Sequence, residues 1–208
     1  MRSMTFFLFV LALTQLSSCA TAPNAATSEK QAIAQVESPF SQGAITLDIQ
    51  TDPDLNAFHG IANSCTLVVV QAQTVSTLYK LLSNPTALKN LFSAAGAQDD
   101  ILKVDRYSAM PGQRTVLHID RSENTRYVAI VAGYYPFPQK QHMALVAIPV
   151  TSSSSGWWNK SWHAELIPLS LKFRLGSNSI SEFTGATLEP LSLTSSDVVP
   201  TTSAGKGE

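Results

Sequence analysis

Cysteine is scarce in this chain, with only Cys19 and Cys65 among 208 residues. A framework of several disulfides is therefore excluded, and so is a zinc site built from paired cysteines at close, regular spacing. The folded part of the chain must owe its stability to the packing of apolar side chains rather than to covalent cross-links.

Charged residues are also few. Asp, Glu, Lys and Arg make up 14% of the chain and the net charge is −1, whereas about 25% is usual for soluble domains. This balance gives no basic surface that would attract nucleic acid and no strong field that would select an acidic substrate.

The motifs of the common enzyme classes are missing as well. The histidines, His59, His118, His142 and His163, are scattered, with neither a His-x-x-x-His nor a His-Glu-x-x-His spacing. There is no Gly-x-Ser-x-Gly nucleophile elbow and no glycine-rich phosphate loop. The sequence therefore predicts a protein that is not an enzyme and holds neither a metal ion nor a dissociable cofactor.

The apolar run at 5–13 is too short to span a bilayer, but it has the length of a signal-peptide core behind Arg2. It ends in Leu16-Ser17-Ser18-Cys19, the pattern of a lipobox: a branched residue, two small residues, then the cysteine. This predicts a signal peptide over 1–18 and a diacylglycerol and a fatty acyl chain (palmitate) on Cys19. The alternative is an ordinary secretory signal that happens to contain a cysteine.

Ala20 follows the cysteine, where an aspartate would be expected for retention in the inner membrane. We therefore expect a lipid-anchored protein of the outer membrane that faces the periplasm, held stably by two or more acyl chains. Because acylation would use Cys19, no disulfide can form within the chain. Cys65 is then most simply a small buried hydrophobic residue.

Composition divides the rest of the chain into three parts. Residues 19–43 are predicted to be the acylated cysteine and a flexible tether, because they lack a sustained apolar period. Residues 44–183 carry the regular patterns of a folded domain. Residues 184–208 are rich in Ser, Thr, Pro and Gly and are predicted to be a disordered tail.

Within the domain, short strands alternate with turns. Residues 45–50 alternate between apolar and polar side chains, as in a half-buried strand, and residues 65–70 are apolar on both faces, as in a strand covered on each side. The period changes to that of a helix over about 75–95, with Asn84-Pro85 at a helix start. We predict an all-β fold, a two-sheet β-sandwich with a short helical insertion.

The order of these elements resembles that of the TssJ-type outer-membrane lipoproteins of the bacterial type VI secretion system. Besides the lipobox, the resemblance rests on five features: Asp54-Leu55-Asn56 in the first loop, the apolar strand at 67–70, a helical stretch ending in Leu91-Phe92, Pro111-Gly112 before a strand, and the run 127–132. Two features depart from the family pattern: Gln71-Ala72-Gln73 after the second strand, and the long segment 157–183 with its tryptophans.

The resemblance implies a transthyretin-like or immunoglobulin-like β-sandwich that anchors the membrane complex of the secretion system. It implies that the protein binds the periplasmic C-terminal domain of the large inner-membrane subunit, TssM, through the loop between its first two strands. In this chain that loop is 51–64, and the corresponding residues are Asp52, Asp54, Leu55, Asn56, Phe58 and His59.

Several alternatives stay open at this point. The protein could be another periplasmic, lipid-anchored binding module, for a carbohydrate or as an assembly chaperone, or a lipid-anchored hydrolase. Leu55 and Phe58 could fold back onto the core instead of meeting a partner. The aromatic loop 134–137 is either a second binding surface or only the closure of a hairpin. The tryptophans Trp157, Trp158 and Trp162 are candidates for the core, for a membrane-facing patch or for a partner site.

Overall fold

Two four-stranded sheets packed face to face form the body of the protein in the computed structural model, which describes residues 26–93, 100–136, 138–158 and 160–191. The predicted two-sheet β-sandwich with a helical insertion is confirmed. The strands are β1 (Ser41–Thr51), β2 (Cys65–Ala72), β3 (Ile101–Ala109), β4 (Arg114–Arg121), β5 (Tyr127–Ala132), β6 (Met143–Ala147), β7 (Val150–Ser155), β8 (Ser161–Leu166), β9 (Leu169–Leu175) and β10 (Ile180–Thr184). The helices are α1 (Glu29–Ala34), α2 (Val75–Leu82) and α3 (Pro85–Ser93), with a 3₁₀ turn at Lys140–His142.

The strand order is β10-β9-β1-β4 in the first sheet and β3-β2-β5-β6 in the second, while β7 and β8 form a separate two-stranded hairpin. Strand β1 is antiparallel to β4 but parallel to β9, with Ile45 opposite Leu169 and Thr51 opposite Leu175. The segment 157–183, with its tryptophans, supplies one strand of the hairpin and two strands of the first sheet.

The core between the sheets follows from side-chain alternation. In β1 the side chains of Ile45, Leu47 and Ile49 are buried, while the polar residues between them face outward. In β2, Leu67 and Val69 enter this core and Val68 and Val70 enter a second cluster on the opposite face. The apolar pattern on both faces of β2 is thus explained by two separate cores.

The second core lies under the helical insertion. Leu78, Leu81 and Leu82 of α2 and Leu88 and Leu91 of α3 pack on the outer face of the second sheet. Both helices begin at polar caps: the Thr74 hydroxyl accepts a hydrogen bond from the backbone of Thr77, and the Asn84 side chain accepts from Thr86 and Ala87. The expected helix start at Asn84-Pro85 is confirmed.

Part of the predicted tether is folded, and here the flexible interpretation of 19–43 is wrong. Helix α1 lies against the β7–β8 hairpin, and Ala26 makes an antiparallel bridge with Trp162. The Arg126 guanidinium donates hydrogen bonds to the carbonyls of Ile33 and Val36. Because these bonds hold residues 26–40 on the domain, the folded part begins well before residue 44. Residues 19–25 lie outside the described residues.

The folded part also ends later than predicted. The Tyr79 hydroxyl donates a hydrogen bond to the Pro190 carbonyl, and Leu191 is buried against the helical core. The start of the predicted disordered tail, 184–208, is therefore packed on the domain up to residue 191. Residues 192–208 lie outside the described residues.

The sandwich has two distinct ends. Strand β1 runs from Ser41 to Thr51, over about 35 Å, and leads into loop 51–64, so this loop lies at one end. Because β9 is parallel to β1 and starts beside Ile45, the β7–β8 hairpin that precedes it joins the sandwich at the opposite end. We call these the loop end and the hairpin end.

A buried glutamine ties the turn after β4 to the second sheet. The Gln71 side chain is fully buried; its Nε2 donates to the Asp120 carbonyl, and its Oε1 accepts from the Ser122 backbone and the Thr125 hydroxyl, each at 2.9 Å. Gln71→Ala would leave these groups buried without partners, so we expect a loss of about 3 kcal/mol in the free energy of unfolding. Urea unfolding measures the loss, and Gln73→Ala, an exposed neighbour, is the matched control. Equal stability of the two variants would contradict this account.

The Cys65 thiol is buried as predicted, and burial raises its pKa from 9.0 to about 11. Between these values the unfolded chain releases the thiol proton before the folded chain does, so stability falls as the pH rises. We expect this thiol to lower the free energy of unfolding by about 1.4 kcal/mol between pH 8 and pH 10. Urea unfolding of the wild type and of Cys65→Ala at both values tests this, because the variant should lose that part of the pH dependence. An identical pH dependence in both proteins would overturn it.

Candidate functional site

The tip of loop 51–64 is a tight turn that exposes two apolar side chains. Phe58 and Ile61 exchange backbone hydrogen bonds of 2.9 and 3.0 Å. Between them, His59 and Gly60 both have positive φ angles, +51° and +78°, as a type I′ turn requires. The turn leaves Phe58 45% and Ile61 69% exposed, and His59 is exposed beside them.

The base of the loop is buried rather than exposed. Leu55 is completely buried in the core between the sheets, so the alternative in which it folds back onto the core applies to this residue, and it does not lie on the surface as a partner-binding residue would. Asn56 is buried too, and its Nδ2 donates to the Ser64 carbonyl at 3.0 Å while its Oδ1 accepts from the Tyr135 backbone at 2.9 Å. These two residues fix the loop and leave its tip free for contact.

The two aspartates of the loop differ in their surroundings. Asp52 is half-buried, and its carboxylate accepts a hydrogen bond from Arg174 at 2.8 Å. The same guanidinium donates to Glu182 at 2.9 Å. The hydrogen bond to Glu182 has the largest effect on the pKa of Arg174 and the bond to Asp52 the next, and both raise it. Asp52 therefore clamps the start of the loop to β9. Asp54 is exposed at the surface.

The aromatic loop after β5 lies beside this turn. The Tyr135 side chain is 64% exposed, and its ring meets that of Phe58 edge-on with centroids 4.6 Å apart. His59 makes a similar contact with Phe58 at 4.1 Å. Phe58, His59, Ile61 and Tyr135 thus form one exposed surface, which we call the aromatic patch. The two loops that the sequence offered as separate candidates are one site; Phe137 lies outside the described residues.

The residues beneath the aromatic patch are fixed by hydrogen bonds and ring packing. Tyr134 directly precedes Tyr135 in the chain. Its hydroxyl donates to the carbonyls of Gly176 and Ser179 at 3.0 and 2.9 Å. Burial of this ring, more than any neighbouring charge, raises the pKa of Tyr134. Tyr134 also packs on the ring of the buried His142, whose Nδ1 accepts from the Gln139 backbone. These contacts connect the end of β5 to the end of β9.

The other histidines do not converge. His118 is exposed on the polar face of β4, 3.3 Å from the Thr46 hydroxyl, and His163 is exposed on β8. Within the described ranges, no three side chains of His, Cys, Asp or Glu come close enough to hold a metal ion. The same residues include no helix that is long and apolar enough to cross a membrane.

The tryptophans fall into two groups. Trp162 is half-buried on β8 beside α1, whereas Trp157 and Trp158 are 88% and 91% exposed at the tip of the hairpin. Core packing, one of the alternatives for these residues, applies at most to Trp162.

The structure is thus a β-sandwich that presents an exposed aromatic patch on loops held by hydrogen bonds. The chain matches the family of type VI secretion lipoproteins (VasD, EvfM, TssJ) over residues 43–176 and belongs to that family. It is thus a membrane-bound lipoprotein of the TssJ type, and the family is a component of the secretion machinery, not a family of enzymes.

Solved structures resemble the chain at low identity. The T6SS lipoprotein TssJ1 of Pseudomonas aeruginosa is 18% identical, with 74% of this chain and 98% of that chain covered and a TM-score of 0.46. Lip of Serratia marcescens, a membrane-bound component of the type VI secretion system, is 16% identical over 66% of this chain and 94% of its own, with a TM-score of 0.47. A chain of a type VI membrane complex is 16% identical over 75% and 100%, with a TM-score of 0.47. A comparison with curated proteins found no match.

Proposed function

We propose that this lipoprotein anchors the type VI secretion membrane complex to the outer membrane by binding the periplasmic C-terminal domain of the inner-membrane TssM-type subunit. The tip of loop 51–64 makes the contact, together with Tyr135. Among the residues that the resemblance suggested, Asp54, Phe58 and His59 touch the partner, whereas Asp52, Leu55 and Asn56 position them.

The single observation that carries this proposal is the aromatic patch. Phe58 and Tyr135 are exposed, and their rings meet edge to face. The backbone N–H of Phe58 donates to the Ile61 carbonyl and that of Tyr135 donates to Asn56 Oδ1, so both residues are held in place. Aromatic side chains on a rigid base lose little conformational freedom on binding and commonly dominate protein interfaces. The exposed Asp54 and His59 supply polar groups at the rim.

The lipid anchor holds the domain in the compartment where it meets the partner. Cys19 carries the acyl chains, and Ala20 after it directs the lipoprotein to the outer membrane rather than the inner one. The folded domain then stands in the periplasm, where the partner's domain is found. Tethering both proteins to the envelope raises their effective concentrations for each other.

Titration of the purified TssM-type periplasmic domain into this protein, followed by calorimetry, tests the proposal. We expect saturable binding in a fixed stoichiometry, and we expect Phe58→Asp to abolish it, because a carboxylate cannot replace the aromatic ring in a contact that excludes water. Phe40→Asp, which changes an exposed phenylalanine at the hairpin end, should bind as the wild type does. Absence of binding by the wild type would refute the proposed partner.

A further inference from the structure

The tip of the β7–β8 hairpin carries two neighbouring tryptophans that are almost fully exposed. Trp157 and Trp158 are 88% and 91% exposed. Strand β7 behind them is Val150-Thr151 followed by four serines, and residues 153–156 are exposed. Two adjacent indoles exposed this fully form an apolar surface, and such a surface is commonly covered by a second molecule or by a membrane.

The same hairpin lies beside the point where the lipid-bearing segment joins the domain. Ala26 pairs with Trp162, and the Trp162 backbone donates to the Ala26 carbonyl at 2.9 Å. The Ser152 hydroxyl donates to Glu29 of α1 at 2.6 Å, which fixes the helix along the hairpin. Only residues 20–25 separate Ala26 from Cys19, so the acylated residue lies within about 25 Å of Ala26.

Because so few residues separate Cys19 from Ala26, the hairpin must lie close to the bilayer that holds the acyl chains. The hairpin joins the sandwich at the end opposite the aromatic patch, and it is the end from which the chain leads to the acyl chains. Trp is the side chain most typical of the membrane–water interface, where its ring lies among headgroups and its N–H stays hydrated. Lys160, exposed in the same tip, suits the phosphates of the headgroups.

We propose that Trp157 and Trp158 insert into the interface of the phospholipid bilayer that holds the acyl chains, so that the hairpin is a second, non-covalent membrane contact. This inference rests on the acylation of Cys19. With one contact through the lipid and another through the hairpin, the hairpin end faces the bilayer and the aromatic patch points away from it, toward the partner.

Tryptophan fluorescence of the acylated protein on vesicles of phosphatidylethanolamine and phosphatidylglycerol tests the proposal. The chain has three tryptophans, so Trp162→Phe leaves only the two tip indoles as reporters. We expect their emission to shift to shorter wavelength and to be quenched by lipids brominated near the top of the acyl chains. In the matched control, Trp157→Ser with Trp158→Ser, the remaining Trp162 should be quenched little.

Flotation of the same samples separates the possible failures. If the protein floats with the vesicles while its tip indoles stay open to aqueous acrylamide, the hairpin contact is refuted and the lipid anchor stands. If the protein does not float, the anchor itself is refuted, and this inference with it. Protection of the indoles only after the TssM-type domain is added would assign the tip to a protein and overturn the bilayer as its occupant. Phe58→Ala with Tyr135→Ala should leave the quenching unchanged.

Discussion

Replacing Cys19 by serine is expected to move the protein from the membrane fraction to the soluble periplasm and to abolish secretion by the system. In the proposed lipobox the Cys19 thiol is the group that would carry the diacylglycerol, and a serine hydroxyl does not replace it. Each buried methylene of the acyl chains contributes about 0.8 kcal/mol to membrane binding, so losing two or more chains removes nearly all of the affinity. Fractionation of cells followed by a secretion assay measures both effects.

The control for this prediction is Cys65→Ser, which leaves the lipobox intact. It should stay in the membrane fraction, although a hydroxyl in the core lowers the stability of the domain. A Cys19→Ser protein that remained membrane-bound and supported normal secretion would show that the acyl chains are not what holds it. In that case the hairpin tip would have to carry the whole attachment.

The second large effect is expected from removing the aromatic patch. Phe58→Ala together with Tyr135→Ala should weaken binding of the TssM-type periplasmic domain by about a hundredfold, because two central aromatic residues of an interface commonly contribute about 1–2 kcal/mol each. The domain should keep its fold, since neither side chain is part of the two hydrophobic cores. Calorimetry gives the affinity, and thermal unfolding checks the stability.

Phe40→Ala is the matched control for this pair, because Phe40 is 61% exposed but lies at the hairpin end. It should bind as tightly as the wild type. Deleting the loop would be a poor test, since removing Leu55 opens the core and removing Asn56 frees the Tyr135 backbone. If the patch variant bound as well as Phe40→Ala, the contact would have to be sought elsewhere on the domain.

Much of the fold could be predicted because its elements are written in local patterns. The alternation of Ile45, Leu47 and Ile49 gave the buried face of β1, and Asn84-Pro85 gave the start of α3. The parallel pairing of β1 with β9 depends on residues more than a hundred positions apart, and alternation does not encode a strand's neighbour. The sandwich was therefore predictable, but its strand order was not.

Helix α1 was missed although its sequence carries a signal. Ser28 caps the helix by accepting from the Gln31 backbone, and the Gln31 side chain accepts from Thr27. A serine followed three residues later by glutamine is the spacing of a capping box. Composition alone suggested a tether here, because a six-residue helix has too few apolar positions to show a period.

The candidate site was predicted in part for a similar reason. Sequence cannot say whether an apolar residue in a loop faces inward or outward, and Leu55 and Phe58 took opposite directions. The joining of Phe58 with Tyr135 depends on the hydrogen bond from the Tyr135 backbone to Asn56, a contact between distant parts of the chain. Both loops were named from the sequence, but only the structure makes them one surface.

The central claim is that the loop end of the sandwich binds the TssM-type partner and that the hairpin end contacts the membrane. A photo-reactive benzoylphenylalanine placed at position 58 in cells, with a second protein carrying it at position 40, measures this directly. We predict a covalent adduct with the TssM-type subunit from position 58 and none from position 40. An adduct from position 40 alone, or equal adducts from both, would contradict the claim.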